Sequence, residues 1–282
     1  MAAKRVLIVS DGSQFSESAL EFALAVYKGS DVQLAGIFVQ DLSYLSMLTL
    51  MGSDELMNTF NFRFVEESLK AGESKVKGYI DEFRQRCKEA NVHFEVLFEK
   101  GSAPAEIIHE STFCDLIIIG YQSFFANIGG RQDDHLLRDV LSEAQCPVVV
   151  VPEAWKVPGS VVFGFDGKYE STYALRQFLY LMPAGVLQVP FRSVSVDEDG
   201  TLPEDHQMQQ LQSLMNAHGI NMTSIVKKGK AGEEIRKEVE SQTSPILVMG
   251  SYGRSLFSML FHHSASDSIL RSQQVPVFIT HR

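Results

Sequence analysis

Short apolar runs alternate with stretches of helical period along the whole chain. Val6 to Ser10 is the first run, closed by Asp11-Gly12. Residues 13–28 follow, with Phe15, Ala19, Phe22, Ala23 and Val26 recurring on one helical face. Val32 to Val39 is a second strand candidate. Residues 40–61 are an apolar, Met-rich insertion, and residues 62–90 have the period of a long helix with Phe64, Leu69, Val76, Ile80 and Phe83 inward. Phe94 to Phe98 is a third strand, closed by Lys100-Gly101, and Ala105 to Ser111 a short helix. Leu116 to Ile119 is a fourth strand ending at Gly120. A loop with Gly129-Gly130 leads to a helix near Leu136 to Leu141, and Cys146-Pro147 opens a fifth strand, Val148 to Val151. The runs are continuous rather than alternating, as in strands covered on both faces, so the order βαβαβαβαβ predicts a parallel sheet between two helical layers.

After the linker 153–160, which carries Pro158 and Gly159, the pattern restarts. Asp11-Gly12-x3-Ser16-x2-Ala19-Leu20 recurs as Asp166-Gly167-x3-Ser171-x2-Ala174-Leu175. Lys100-Gly101-x-Ala103-x2-Glu106-Ile107 recurs as Lys228-Gly229-x-Ala231-x2-Glu234-Ile235. The run 116–120 matches 246–250, and Gln145-x-Pro147 matches Gln274-x-Pro276. Four matches in one order identify an internal duplication. The spacing from Asp11 to Gly101 is 90 residues against 63 from Asp166 to Gly229, so the extra length lies around the Met-rich insertion and the long helix. Domains are expected at residues 1–153 and 158–282.

The 282 residues suit two ordinary domains, and 45% hydrophobic with 21% charged residues is a globular balance. A net charge of −10 argues against broad nucleic-acid or anionic-membrane binding. Cys87, Cys114 and Cys146 show no paired or metal-ligand spacing, which reads as reduced, mostly buried thiols in a cytoplasmic protein. No signal-peptide pattern is present, and no apolar run approaches the roughly 20 residues of a membrane span.

The duplicated DGSxxS-type turn, the KGxAxxEI turn, the strand ending at glycine and the final CPVVVV-type strand together resemble the universal stress protein family in its tandem form. The resemblance covers nearly the whole chain. It implies two flavodoxin-like (Rossmann-like, adenine nucleotide alpha hydrolase-like) α/β domains, each a five-stranded parallel sheet in order 3-2-1-4-5. It further implies a pseudo-dimer in which strands 148–151 and 277–280 pair and cover two apolar edges.

Nucleotide-binding members of that family carry G-x2-G-x9-G-[S/T] after the fourth strand. The second half reads Gly250-x2-Gly253-x9-His263-Ser264, matching three of four positions. Glycines there let backbone approach a ribose and a phosphate without a Cβ clash. Ser264 offers a hydroxyl and an amide at a helix N-terminus, and Arg254 a cation. His263 in place of glycine narrows the phosphate site or, protonated, adds a donor. Asp166 ends the first strand beside this loop, where sheets of this kind hold ligands. Its alternative role is to cap the first helix, and the two roles are compatible. Aligning Val32-Gln33 with Leu187-Gln188 matches Val194 to Val39, a position whose backbone faces adenine in the family. The alternative for the glycines is that strand-to-helix turns often need them regardless.

The first half departs further. Gly120 is retained, but Ser123 replaces the second glycine and Asp133, Asp134 and His135 stand where Gly-[S/T] belongs. Two carboxylates at a phosphate position repel the ligand. With Asp11 and Val39 they read as a site that no longer binds nucleotide; a metal site there lacks further ligands. The expectation is thus a cytoplasmic regulator binding ATP or AMP, with or without magnesium, in its second half. A homodimer and an unidentified protein partner are compatible with it. No residue is positioned as a general base, so ATP hydrolysis would be slow. A nucleotide-free scaffold, or an apolar-ligand binder using the Met/Phe-rich insertion, is the competing reading.

Overall fold

The structure is a computed structural model and describes residues 4–10, 15–41, 55–121, 135–198, 200–250 and 275–280. In the first half β1 (Lys4–Ser10), α1 (Glu17–Val26), β2 (Val32–Asp41), α2 (Glu55–Glu89), β3 (His93–Gly101), α3 (Ala103–Ser111), β4 (Leu116–Gly120), α4 (His135–Glu143) and β5 (Val148–Val151) follow in order. The second half runs β6 (Ser160–Gly164), α5 (Tyr169–Leu181), α6 (Ala184–Leu187), β7 (Phe191–Asp197), α7 (Asp205–Ala217), β8 (Met222–Lys228), α8 (Ala231–Glu240), β9 (Pro245–Met249) and β10 (Val277–Ile279).

These strands form a ten-stranded sheet in the order β3-β2-β1-β4-β5-β10-β9-β6-β7-β8. Each half has the expected 3-2-1-4-5 order, with parallel neighbours throughout. The last strands meet antiparallel, Val277 opposite Val150 and Ile279 opposite Val148. Val148 to Val151 are fully buried, which follows from pairing on both sides and cover on both faces.

Period-two alternation sends side chains to two cores. Val6, Ile8, Leu116, Ile118, Phe163 and Phe278 pack with α1, α2, α5 and α7. Leu7, Val9, Ile117, Ile119, Val162 and Leu247 pack with α3, α4 and α8. Each fully buried Val, Leu, Ile or Phe stabilises the fold by about 1.5–3 kcal/mol relative to exposure. The halves also meet at the C-terminal end of α5. The Leu181 carbonyl accepts hydrogen bonds from the Tyr27 hydroxyl at 3.2 Å and the Lys4 ammonium at 3.1 Å. Trp155 of the linker meets the Phe22 ring edge-on.

Three sequence expectations change. The long helix starts at Glu55, not residue 62, and Gln40-Asp41 still belong to β2, so the insertion shrinks to 42–54, which lies outside the described residues. The third strand runs on through Lys100-Gly101, because Gln40 and Asp41 remain paired with them. Leu187-Gln188 is not a strand: Leu187 closes the short helix α6, entered from Pro183, and Gln188 is its C-cap.

Candidate functional site

β6 and β9 are neighbours, and in open parallel sheets the crevice at the carboxyl ends of such strands is where ligands bind. Asp166 lies two residues beyond β6. Its Oδ1 accepts the Lys168 N–H at 3.0 Å and the Ser171 hydroxyl at 2.8 Å. The first of these bonds closes an Asx turn, a local geometry that a short carboxylate makes with the amide two residues on. Asp166 is therefore not the helix cap: Lys168 occupies the N-cap of α5 in extended conformation. The other oxygen, Oδ2, is buried at the atom level and accepts no hydrogen bond. The Lys168 ammonium stands 3.3 Å from it as an ion pair.

Gly250 follows β9 and closes the site from the other side. A Cβ there would lie 2.5 Å from the carbonyl carbon and oxygen of Glu170 and 2.8 Å from the Ser171 nitrogen. The glycine is thus required by the protein's own packing, since the end of β9 presses directly on the first turn of α5. Ser171 joins the two parts, its backbone against Gly250 and its hydroxyl on Asp166. Gly253, Arg254, His263 and Ser264 lie outside the described residues.

Val194 does not take the expected position. Its carbonyl accepts the Phe165 N–H at 2.9 Å, and its side chain is buried in the core under α8. The strand register assigns the counterpart of Val39 elsewhere. Val39 stands opposite Glu99, one residue before Lys100-Gly101; Val196 stands opposite Lys227, one residue before Lys228-Gly229. Val196 follows Val194 by two and directs its main chain to the same side, beyond the point where β6 ends.

In the first half Val39 and Gly120 are buried at the ends of β2 and β4. Asp11, Ser123, Asp133 and Asp134 lie outside the described residues, as does the side chain of His135. Ser16, the counterpart of Ser171, is the N-cap of α1, and its buried hydroxyl has no hydrogen-bond partner. Among the described residues no three His, Cys, Asp or Glu side chains are grouped to hold a metal, and no helix is long and apolar enough to cross a membrane. The thiols are not activated. Burial pushes Cys87 up to about 12, and burial, against the opposing Arg5 charge, pushes Cys114 up to about 11.

The family model described as the universal stress protein family matches residues 2–152 and again 160–281. The chain belongs to the universal stress protein family. A universal stress protein of Synechocystis is 22% identical over 97% of this chain and 98% of its own length. The crystal structure of a universal stress protein from Archaeoglobus fulgidus covers 100% of both chains with a TM-score of 0.70 at 21% identity. A universal stress protein family protein of Arabidopsis thaliana, solved with AMP bound, matches 53% of this chain and 91% of its own at 18% identity and a TM-score of 0.34. The universal stress protein fold is therefore present twice in tandem.

Proposed function

We propose that the second half binds an adenine nucleotide across the carboxyl ends of β6 and β9, and that this universal stress protein acts through that binding as a regulator rather than a fast enzyme. The observation that carries the reading is the Asp166 carboxylate. One oxygen is locked by the turn and by Ser171, while the other is buried without a hydrogen bond. The largely exposed Lys168 ammonium, 3.3 Å away, compensates that oxygen only in part, so a ligand amino or hydroxyl group can donate to it. The main chain of Val196, in place of Val194, takes the adenine side. Gly253, Arg254 and Ser264, with His263 beside them, supply the amides, hydroxyl and cation for ribose and phosphate, on the spacing their sequence carries. A bound nucleotide would supply the phosphate charge that couples the loop after β9 to the first turn of α5, and magnesium would accompany a triphosphate. The first half, with Asp133 and Asp134 at the phosphate position, stays empty.

Calorimetric titration of the intact chain with AMP, ADP and ATP tests this. Saturable heat is expected, and its loss in a Gly253→Trp variant. Absence of binding at millimolar nucleotide refutes it.

A further inference from the structure

α7 opens with a capping box. The Glu204 side chain accepts the backbone N–H of Gln207, and Gln207 Oε1 accepts the Glu204 N–H at 2.8 Å. Glutamate and glutamine serve equally at this position of a capping box, because only an acceptor is needed. Gln207 uses its remaining group as well. Its Nε2 donates to the Gly167 carbonyl at 2.9 Å, across 40 residues of sequence. Only the amide has a hydrogen to give to a second acceptor.

The peptide unit it holds is the one between Gly167 and Lys168. Its carbonyl accepts from Gln207, and its N–H donates to Asp166 Oδ1 at 3.0 Å. A trans peptide is planar, so fixing one end fixes the other. Gly167 has φ +78°, and a Cβ on it would come within 2.5 Å of Gln207 Oε1, so the amide lies flat against the turn. Gln207 and Asp166 therefore grip opposite ends of one peptide plane. With the Ser171 hydroxyl, that plane sets the direction of the Asp166 carboxylate, whose Oδ2 has the Lys168 ammonium beside it and no hydrogen bond.

Resting on the nucleotide reading above, we infer that Gln207 is a positioning residue for the second-half site. It holds the Asp166 turn in its ligand-binding geometry from the helix that follows the second strand, beyond its role as a helix cap. Through this side chain the first turn of α7 bears on the Asp166 turn.

Two substitutions separate the roles. Gln207→Glu keeps the acceptor for Glu204 N–H, removes the donor to Gly167, and sets a carboxylate against a carbonyl. Glu204→Ala breaks the other half of the cap and leaves Gly167 untouched. Thermal midpoint, AMP affinity by calorimetry and hydrogen exchange at the Lys168 amide are measured on both. In Gln207→Glu the midpoint is expected to fall modestly as the Gly167 carbonyl loses its donor, AMP affinity to fall on the order of tenfold, and Lys168 exchange to accelerate by more than the loss of global stability accounts for. Glu204→Ala is expected to lower the midpoint while leaving affinity and Lys168 exchange unchanged. Unchanged Lys168 exchange in Gln207→Glu overturns the positioning role, as does wild-type AMP affinity in that variant. If the wild type binds no AMP, the nucleotide reading fails, while accelerated Lys168 exchange in Gln207→Glu still identifies Gln207 as the brace of the turn.

Discussion

Replacing Gly250 by alanine adds one methyl group where the structure leaves no room for it. The nearest atoms are main-chain, the Glu170 carbonyl group at 2.5 Å and the Ser171 nitrogen at 2.8 Å, so no rotamer change relieves the contact. Ordinary van der Waals contact begins near 3.4 Å, and the end of β9 must separate from the first turn of α5 by nearly an ångström. Overpacking of this kind costs about 1–3 kcal/mol, and a backbone obstacle belongs in the upper half of that range. The separation also pulls at Ser171, whose hydroxyl holds Asp166, so nucleotide affinity should fall with stability. Gly78 is the control. It lies exposed in α2 with nothing within 4 Å of an added Cβ, and alanine there should stabilise by up to about 1 kcal/mol through helix propensity. Urea unfolding followed by circular dichroism reads both. A Gly250→Ala variant within about 0.5 kcal/mol of wild type, against the cited packing cost, would refute the argument.

Other consequences follow from packing and charge. Tyr27→Phe removes a buried hydroxyl that donates to Leu181 across the two halves and should cost about 1 kcal/mol in urea, the Lys4 ammonium retaining the carbonyl. Glu238 is a buried carboxylate between Arg192 at 3.3 Å and Lys227 at 2.8 Å, so Glu238→Gln removes the carboxylate both cations are paired with and should destabilise by roughly 1–3 kcal/mol. The effect should shrink in high salt, and equal stability would assign the pair no net contribution. The Cys87 thiol is raised from 9.0 to about 12 by burial, so the unfolded chain loses that proton first as pH rises. Its contribution is complete below pH 9 and falls by up to about 1.4 kcal/mol per unit through pH 12. Cys87→Ala should flatten that alkaline slope; an unchanged slope would remove Cys87 as its source.

The duplication made most of the architecture legible. Continuous apolar runs marked strands covered on both faces, and letter-by-letter recurrence marked two copies of one topology. Where the reading slipped, local pattern met a competing local structure. Leu187-Gln188 looks like a strand beginning, but Pro183 starts a helical turn there, and the match to Val194 inherited that error. The Lys-Gly pairs that close the third strand of each copy carried the correction, because register ties Val39 and Val196 to the residues just before them. Gly250 was legible as a required glycine, but its obstacle, the first turn of α5, lies about 80 residues away in sequence and only the fold brings it near. Gln207 stands three residues after Glu204, but glutamate is outside the usual Ser, Thr, Asp or Asn of a capping box, so the box was not legible before the fold. Its long-range partner Gly167 carried no signal, since a backbone carbonyl leaves no mark on residue identity.

The central claim, one working nucleotide site per chain located at Asp166, is tested most directly by counting bound AMP in equilibrium dialysis of three proteins: wild type, Asp166→Ala and Asp11→Ala. One AMP per chain is expected in the wild type, none in Asp166→Ala, and one in Asp11→Ala. Two per chain, or binding that survives loss of the Asp166 carboxylate and disappears with Asp11, would contradict it.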